Sequence, residues 1–531
     1  MSRSTVVVRQ SAVGVRPRAL SMARLEALAP RIMAVVIVAW IAVMFAASVY
    51  KYETFGQGGD QVDFEQAIWN TVHGRIMEDS RFNFTGSVFG MDWMPMLLFF
   101  VPFYALIPSA HTLFFLQIVG SGLGAVPLYW LARDKLSSKV AGLAAGIAYL
   151  LYPTLLHTAL NPFQVRLFAL TLLLFAFYYF ERGNWKLFTA LALLAVLART
   201  DVALVVGMFG FYGLITRRAW HYVLPPILIG FGYFALSTFV IVPSFAYTGS
   251  PAGTTGGGMQ CWPCGNNPLL AYYGHLGATG PEIIKHIVTN PISTAQLIFT
   301  PEKIGYMLLM LLPLAFLPLL APKPLVLALP ILMLNLLSLR GAQYDYQHHY
   351  SLLLILGLMA AAIYGASNLQ RLVSRRLHRD EVRKPPNLRG IYRGAIALTL
   401  WALILTLPYK NPAVRALLYP ESPARVQAAK ELIALVPPEA KVAASSKLAP
   451  RLLPRRYIYN FPPASYSPYN FGTHSAPGYV DLDYILVDPD ASALDVGANN
   501  IDGKSGLDLL KTLPGWHVAA QKAGFYLYSR H

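Results

Sequence analysis

An acidic residue follows a glycine-rich turn early in the chain, in the segment GQGGDQVDFEQAIWNTVHG. After Asp60, the apolar residues Phe64, Ala67 and Ile68 recur at helical spacing, which predicts a short amphipathic helix on a membrane surface. A partly desolvated carboxylate there could act as a general base toward an acceptor hydroxyl. The structural alternative is that Asp60 only caps the helix.

A second carboxylate, Asp201, stands beside Arg199 where two short apolar segments meet. Ionisable residues at membrane depth are costly and are usually functional or paired. The sequence leaves two interpretations open for this group. Asp201 either takes part in chemistry or forms a structural ion pair with Arg199.

Two histidines, His348 and His349, lie in a third polar group, RGAQYDYQHHY, together with Arg340. Adjacent histidines point in different directions on a helix, and no second ligand pair has metal spacing. We therefore predict no metal site and no certain cofactor, with a divalent cation as the one cofactor these residues could bind. The tyrosines of this group could be interfacial belt residues.

Three arginines, Arg166, Arg199 and Arg340, fall on the predicted outer side, against the charge bias that orients membrane proteins. The guanidinium group matches phosphate oxygens well. A phosphate of an outer-leaflet lipid is therefore a candidate ligand. Ordinary headgroup contact by snorkelling is the alternative for each of them.

The chain has two cysteines, Cys261 and Cys264, in the glycine-rich stretch GSPAGTTGGGMQCWPCGNN. Their C-x-x-C spacing occurs in thioredoxin-type motifs, but these lie at a helix start within a βαβ context that the surrounding sequence lacks. We interpret the pair as a local disulfide that stiffens an outer loop.

Composition shows what kind of protein carries these groups. Hydrophobic residues make up 55% of the 531 residues and charged residues only 13%, against about 25% charged residues in soluble domains. The net charge of +17 could suggest a nucleic-acid partner, but the basic residues form short runs between apolar segments. That is the positive-inside pattern of a membrane protein, so we exclude nucleic acid as a partner.

The basic loops predict the topology. If 133–139, 182–186, 217–218, Lys323 and 371–393 all face the cytoplasm, the apolar segments between them must cross in pairs. About eleven spans follow, with the N-terminus inside and the C-terminus outside. They are predicted at 31–50, 110–131, 140–157, 167–181, 186–199, 202–216, 219–246, 303–321, 324–339, 350–369 and 392–408.

Three regions result: a basic cytoplasmic tail at 1–30, a transmembrane domain at 31–408, and a last domain at 409–531. The membrane domain has its main outer loops at 51–109 and 247–302. Within the first of these loops lies an apolar stretch at 95–108, PMLLFFVPFYALIP. It is too short for a comfortable span, and we interpret it as an interfacial or re-entrant helix.

The last domain is a different kind of sequence, with fewer apolar residues and nearly balanced charges. Residues 422–435 predict an amphipathic helix, and 441–445, 457–461, 484–488 and 525–529 predict short strands. The predicted fold class is therefore mainly α, a polytopic helical membrane domain with a small extracytoplasmic α/β domain at the C-terminus.

Several motifs together resemble a family of prokaryotic multi-pass membrane proteins known as domain of unknown function 2079. The motifs are FEQAIWNTVHGR, LLFFVPFYALIP, AVPLYWLAR, AYLLYPTLLHTAL and LARTDVAL, and the resemblance runs from about residue 55 to 220 and more weakly to the C-terminus. That family is similar to the GT-C type of membrane glycosyltransferases, which use polyprenyl-phosphate sugars on the outer face with an acidic residue of the first outer loop as base. The resemblance implies Asp60 as that base, Asp63 as runner-up, and Asp201 as the acidic residue that ends the hairpin motif.

The chain departs from the family pattern at three places. Relatives carry His before a Ser-Pro where this chain has DWMP from Asp92, and Phe-His-Pro-Glu where it has FQVR, with Gln164 and Arg166. They carry Lys-Glu-Asp where it has RTD, from Arg199 to Asp201. These departures indicate either a changed acceptor or an inactive relative. They add Asp92 and Gln164 to the predicted substrate-binding residues, beside the three arginines and two histidines.

The resemblance and the outer polar groups predict an inverting glycosyltransferase of the cell membrane. Its partners would be a polyprenyl-phosphate-linked sugar, membrane lipids, and a glycan, lipid or protein acceptor. A transporter or flippase is one alternative, although such proteins bind near the membrane midplane and often contain inverted repeats. A non-catalytic scaffold for envelope assembly is the other.

Overall fold

The structure is a computed structural model. It describes residues 17–80, 86–245, 270–377, 421–461, 480–490, 503–512 and 515–530, together with Tyr469–Asn470 and several helical positions between 390 and 404. The predicted Cys261–Cys264 disulfide and most of the predicted last span at 392–408 lie outside the described residues.

Helices dominate the chain up to residue 377. They are α1 (Pro17–Glu53), α2 (Gln61–Val72), α3 (Leu97–Leu106), α4 (Ala110–Leu123), α5 (Ala125–Leu136), α6 (Lys139–Leu150), α7 (Pro153–Leu160), α8 (Arg166–Glu181), α9 (Trp185–Val196), α10 (Thr200–Ile215), α11 (Leu224–Leu236), α12 (Val242–Ser244), α13 (Gly280–Thr289), α14 (Pro291–Ile298), α15 (Pro301–Leu311), α16 (Leu329–Leu337) and α17 (Leu354–Leu377). Short 3-10 turns at Leu270–Tyr273, Gly341–Tyr344 and His349–Ser351 connect some of them.

Within the described residues, three helical stretches are long and apolar enough to cross a membrane: Ala23–Glu53, Ala110–Leu136 and Trp220–Ser244. Two bent helix pairs would raise that number to five if each were one span, and four shorter apolar helices add to them. The predicted count of about eleven spans therefore stays a prediction. The ten residues of α3 extend about 15 Å, half of a bilayer core, as expected for the stretch 95–108.

Helix α8 runs through the helical core, with an ionic group at each end. At its C-terminal end, the Glu181 carboxylate accepts hydrogen bonds from Lys135 Nζ at 2.9 Å and from the Tyr212 hydroxyl at 2.9 Å. The Tyr364 hydroxyl also donates to it. These contacts join α5, α8, α10 and α17, so the end of α8 opposite Arg166 is held by its own network.

The C-terminal α/β unit, the described residues from 421 to 530, contains a five-stranded sheet in the order β2-β1-β5-β7-β6. Its elements are α18 (Pro423–Ala434), β1 (Val442–Ala444), β2 (Ile458–Asn460), β3 (Tyr469–Asn470), β4 (Val480–Asp481), β5 (Tyr484–Val487), α19 (Gly503–Thr512), β6 (His517–Lys522) and β7 (Phe525–Ser529). Strand β1 is parallel to β2 and β5, and β7 is antiparallel to β5 and β6. The four strands and the helix predicted from the sequence coincide with β1, β2, β5, β7 and α18.

Helix α2 was predicted to lie on a membrane surface, and this prediction is wrong, because residues 61–68 are all buried. Val62 belongs to the hydrophobic core of the C-terminal unit, whereas Phe64 and Ile68 belong to the core of the helical region. The Gln66 side chain donates to the Arg456 carbonyl at 2.6 Å. The helix thus lies between the two parts of the molecule. Periodicity could not show this, because its second partner lies far away in the sequence.

The end of α1 also holds the C-terminal unit. The Tyr52 hydroxyl donates to the Pro450 carbonyl at 3.0 Å, and Arg451 Nη1 lies 2.7 Å from Glu53 Oε1. The turn between α1 and α2, which carries Asp60, is therefore fixed from both sides.

Candidate functional site

Asp60 occupies the N-cap position of α2, but its side chain makes no capping hydrogen bond. The residue is exposed. Just before it, the Gly59 N–H donates to Ser446 Oγ at 3.1 Å, at the carboxyl end of β1. The capping interpretation therefore does not explain this exposed carboxylate, which lies at the junction of the helical region and the C-terminal unit.

Arg166 and Asp201 form a short buried ion pair, with Nη2 and Oδ2 2.5 Å apart. Arg166 is the first residue of α8 and only 4% exposed, and Asp201 is in the first turn of α10. Arg166 Nε and Nη1 have no hydrogen-bond partner among the described residues. One guanidinium edge thus binds Asp201, and the remaining N–H groups are buried donors.

The predicted Arg199–Asp201 pair is not the main contact of either residue. Arg199 Nε lies 2.6 Å from Asp92 Oδ2 and 3.8 Å from Asp201 Oδ1. Asp92 also accepts a hydrogen bond from the Thr200 N–H at 3.2 Å, so it satisfies the start of α10. Arg199 and Asp201 are close in sequence, but each has a nearer partner of opposite charge elsewhere. Arg199 pairs with Asp92, which lies before α3, and Asp201 pairs with Arg166 on α8.

Arg340 lies next to two tyrosines. Its Nη1 donates to the Tyr272 hydroxyl at 2.8 Å and to the Tyr350 hydroxyl at 3.0 Å. The Arg166 guanidinium lies 5.3 Å from the centre of the Tyr350 ring, within cation–π range. Tyr350 therefore links two of the three predicted arginines, whereas its position in the sequence suggested only a membrane-belt tyrosine.

The two histidines have separate surroundings, as predicted for neighbours on the chain. His348 is exposed, and its Nδ1 lies 3.1 Å from Asp345 Oδ2. Burial, followed by the charges of Arg166 and Arg199, holds the pKa of His349 well below its usual range. His349 is thus a neutral imidazole beside the arginines.

Gln164 and Asp63 are both buried. The Gln164 N–H donates to Gln117 Oε1 at 2.6 Å, and its side-chain oxygen has no partner among the described residues. Asp63 is 4% exposed on α2, so it is less accessible than Asp60 to an acceptor.

A buried carboxylate that sequence reasoning missed, Glu65, anchors α2. It is 2% exposed and accepts hydrogen bonds from Gln61 Nε2 and the Tyr104 hydroxyl, both at 3.1 Å. Burial raises the pKa of Glu65 to about 7. Gln61 Oε1 in turn accepts from the Phe163 N–H at 2.9 Å, so α2 is tied to α3 and to the segment that carries Gln164. The only signal in the sequence was an acidic residue on the apolar side of the helix.

Asp60, Arg199 and Arg340 all lie close enough to Tyr272 to act on its pKa. Burial raises the pKa of Tyr272 to about 12, and the charge of Asp60 acts in the same direction, while Arg340 and Arg199 oppose it. The arginine cluster comprises three guanidinium groups (Arg166, Arg199, Arg340), which lie with two carboxylates (Asp92, Asp201). Arg166 and Asp92 are buried, and the other three residues are partly buried. Within the described part of the chain, no group of three His, Cys, Asp or Glu residues could hold a metal ion.

A family model described as "Predicted membrane protein (DUF2079)" matches residues 54–527. The chain belongs to the DUF2079 family. No curated protein matches this DUF2079 sequence significantly. Among solved structures, it is similar to ArnT from Cupriavidus metallidurans in the apo state, with a TM-score of 0.51 and 12% identity over 93% of this chain and 98% of ArnT.

The similarity to ArnT shows a shared fold across nearly the whole length of both proteins. The family match adds that this DUF2079 protein belongs to a family of predicted membrane proteins. The predicted inward and outward positions of the termini stay predictions.

Proposed function

We propose that this protein is an inverting membrane glycosyltransferase that moves a sugar from a polyprenyl-phosphate donor to an acceptor on the outer face. The observation that carries the proposal is the arginine cluster with its unpaired, buried Arg166 N–H groups, together with the exposed Asp60. The charges of Asp60, Arg199 and Arg340 act on the same tyrosine, Tyr272. The ArnT-like fold supports the same class of reaction.

The cluster suits a departing phosphate. Three guanidinium groups lie with two carboxylates, and this leaves one positive charge in excess among these five groups. Negative charge develops on the donor phosphate as the sugar–oxygen bond breaks, and fixed N–H donors in a dry site stabilise such charge strongly. Arg166 supplies unpaired donors, and Arg340 supplies a guanidinium held in place by two tyrosines.

Asp60 is assigned the role of general base. Its carboxylate takes the proton of the acceptor hydroxyl as that oxygen bonds to the anomeric carbon, and the bond from this carbon to the phosphate oxygen breaks. The sugar leaves with inverted configuration, and polyprenyl phosphate is the second product. Asp60 suits this role better than Asp63, because Asp60 is exposed whereas Asp63 is buried.

Asp201 acts as a positioning residue in this scheme. It holds one edge of the Arg166 guanidinium at 2.5 Å, which fixes the direction of the remaining N–H groups. Its own carboxylate is occupied by this cation, so it is a poor base for an acceptor.

The test is turnover of a polyprenyl-phosphate sugar by the purified protein, with release of polyprenyl phosphate as the readout. Asp60→Asn should lower kcat by at least about a hundredfold, the usual contribution of general acid–base catalysis. Glu282→Gln is the matched control, because Glu282 is an exposed carboxylate of the 247–302 loop outside the cluster. Equal turnover by Asp60→Asn and wild type would remove Asp60 from the mechanism. Lipid flipping without any transfer would contradict the proposed reaction.

A further inference from the structure

A second site is suggested by an apolar cavity of about 470 Å³ at the other end of the helical region. It lies between α5, α6, α17 and the helical positions from 390 to 401. Leu136, Ala144, Ile363 and Leu398 are among its lining residues. Its volume falls in the range of binding sites for small ligands.

Small side chains keep this cavity open. Helix α6 lines it with Ala141, Ala144 and Ala145, and α17 contributes Ala362 and Ala366. Alanines at these helical spacings face one another where larger apolar residues would close the gap. An apolar space of this kind holds no water, so its natural content in a membrane is hydrocarbon.

The cavity is separate from the arginine cluster. Leu136 lines it, and the preceding residue, Lys135, contacts Glu181 at the C-terminal end of α8. Arg166 is at the other end of this 16-residue helix, which is about 24 Å long. The cavity therefore belongs to the membrane half near the basic loops, away from the proposed donor phosphate.

Three exposed basic residues are close in sequence to residues that line the cavity. Lys139 begins α6 two residues before Ala141, Arg371 directly follows the lining residue Gln370, and Arg393 directly precedes the lining residue Gly394. All three side chains are exposed. Basic pockets between helices on the cytoplasmic side of membrane proteins suit anionic lipid headgroups.

We infer that this cavity binds one acyl chain of an anionic phospholipid from the leaflet of the basic loops, with its headgroup at Lys139, Arg371 and Arg393. The inference does not depend on the proposed reaction. It adds a lipid site to the leaflet opposite the proposed chemistry, where a bound phospholipid would fill the space between α5, α6 and α17.

Trp401 provides a probe inside this site. It lines the cavity, and its indole N–H donates to the Leu312 carbonyl at 2.7 Å. The purified full-length protein in detergent is titrated with phosphatidylglycerol or phosphatidylcholine of identical acyl chains brominated at mid-chain. The signal from Trp401 is the difference in fluorescence quenching between the wild type and Trp401→Phe, because the chain has nine tryptophans.

Phosphatidylglycerol should quench Trp401 saturably, with at least fivefold higher affinity than phosphatidylcholine. Ala366→Leu, which fills the cavity, should abolish this quenching, and the control Ala190→Leu on an exposed position of α9 should leave it unchanged. Arg371→Gln should weaken phosphatidylglycerol binding about fivefold, the typical effect of one basic residue at an anionic surface.

Three results would overturn the inference. Quenching that survives Ala366→Leu would show ordinary annular lipid contact, and equal affinity for the two lipids would remove the headgroup site. Absence of Trp401 quenching by either lipid would show that the space is closed to lipid by the chain itself. None of these readouts requires glycosyl transfer, so the inference can fail while the proposed function holds.

Discussion

Arg166 shows why a buried ion pair deserves a functional explanation. Removing two charges from water is expensive, and a pair of this kind is often no more stable than an apolar pair of similar volume. Its advantage lies in orientation, since Asp201 fixes the guanidinium plane and leaves Nε and Nη1 as directed donors. The neutral His349 nearby adds no charge to the cluster.

A double-mutant cycle on this pair separates stability from activity. Arg166→Gln should lower the free energy of unfolding in detergent by about 3–5 kcal/mol, because Asp201 becomes a buried carboxylate without its main partner. Asp201→Asn added to Arg166→Gln should restore much of that stability, as measured by thermal unfolding. The double variant should stay inactive, since the phosphate donors are gone. Recovery of activity along with stability would contradict a role for Arg166 in donor binding.

At the scale of elements, Glu65 makes the anchoring of α2 depend on pH. Its pKa is about 7 in the folded protein because of burial, against about 4.3 for a free glutamate. A raised pKa means that the folded state binds the proton more tightly. The resulting stabilisation is full below about pH 4 and is lost as the pH rises through 7.

Glu65→Gln should remove this pH dependence. The wild type should lose up to about 3 kcal/mol of unfolding free energy relative to Glu65→Gln between about pH 4 and pH 8. Thermal unfolding of both proteins over that range measures the difference. The Gln carbonyl oxygen can still accept one of the two bonds, which reach different oxygens of Glu65 from Gln61 and Tyr104. If the unfolding free energies of the two proteins changed in the same way with pH, the pKa of Glu65 would be the same in the folded and the unfolded chain.

The Gly59–Ser446 hydrogen bond is the nearest link between the C-terminal unit and the Asp60 turn. Ser446→Ala should lower kcat about tenfold with a stability loss of about 1 kcal/mol, because the turn loses one anchor. Ser422→Ala is the matched control. Its hydroxyl caps α18 at the Arg425 N–H, so the variant should lose about 1 kcal/mol of stability with unchanged kcat. Equal kcat values for the two variants would show that the turn keeps its position without Ser446.

At the scale of the whole molecule, sequence patterns predicted the elements better than their partners. Short runs rich in apolar and aromatic residues located β1, β2, β5 and β7 closely, because a buried strand leaves a local signal in the sequence. The partners of Asp92 and Asp201 were not predictable, since each ion pair joins segments far apart in the chain. The contacts of Tyr272 and Tyr350 with Arg340 were not predicted either, because an interfacial tyrosine and a site tyrosine look alike in sequence.

The predicted orientation of the chain can be tested with single cysteines, since the sequence has only Cys261 and Cys264. Both are changed to serine, and one exposed lysine is then replaced, either Lys186 beside the Glu181 network or Lys511 on α19. If the basic loops face the cytoplasm, an impermeant maleimide should label Lys511→Cys in intact cells and Lys186→Cys only after permeabilisation. The reverse labelling pattern would show the opposite orientation in the membrane. It would place Asp60 and the arginine cluster in the cytoplasm, where an outer-face transfer could not occur.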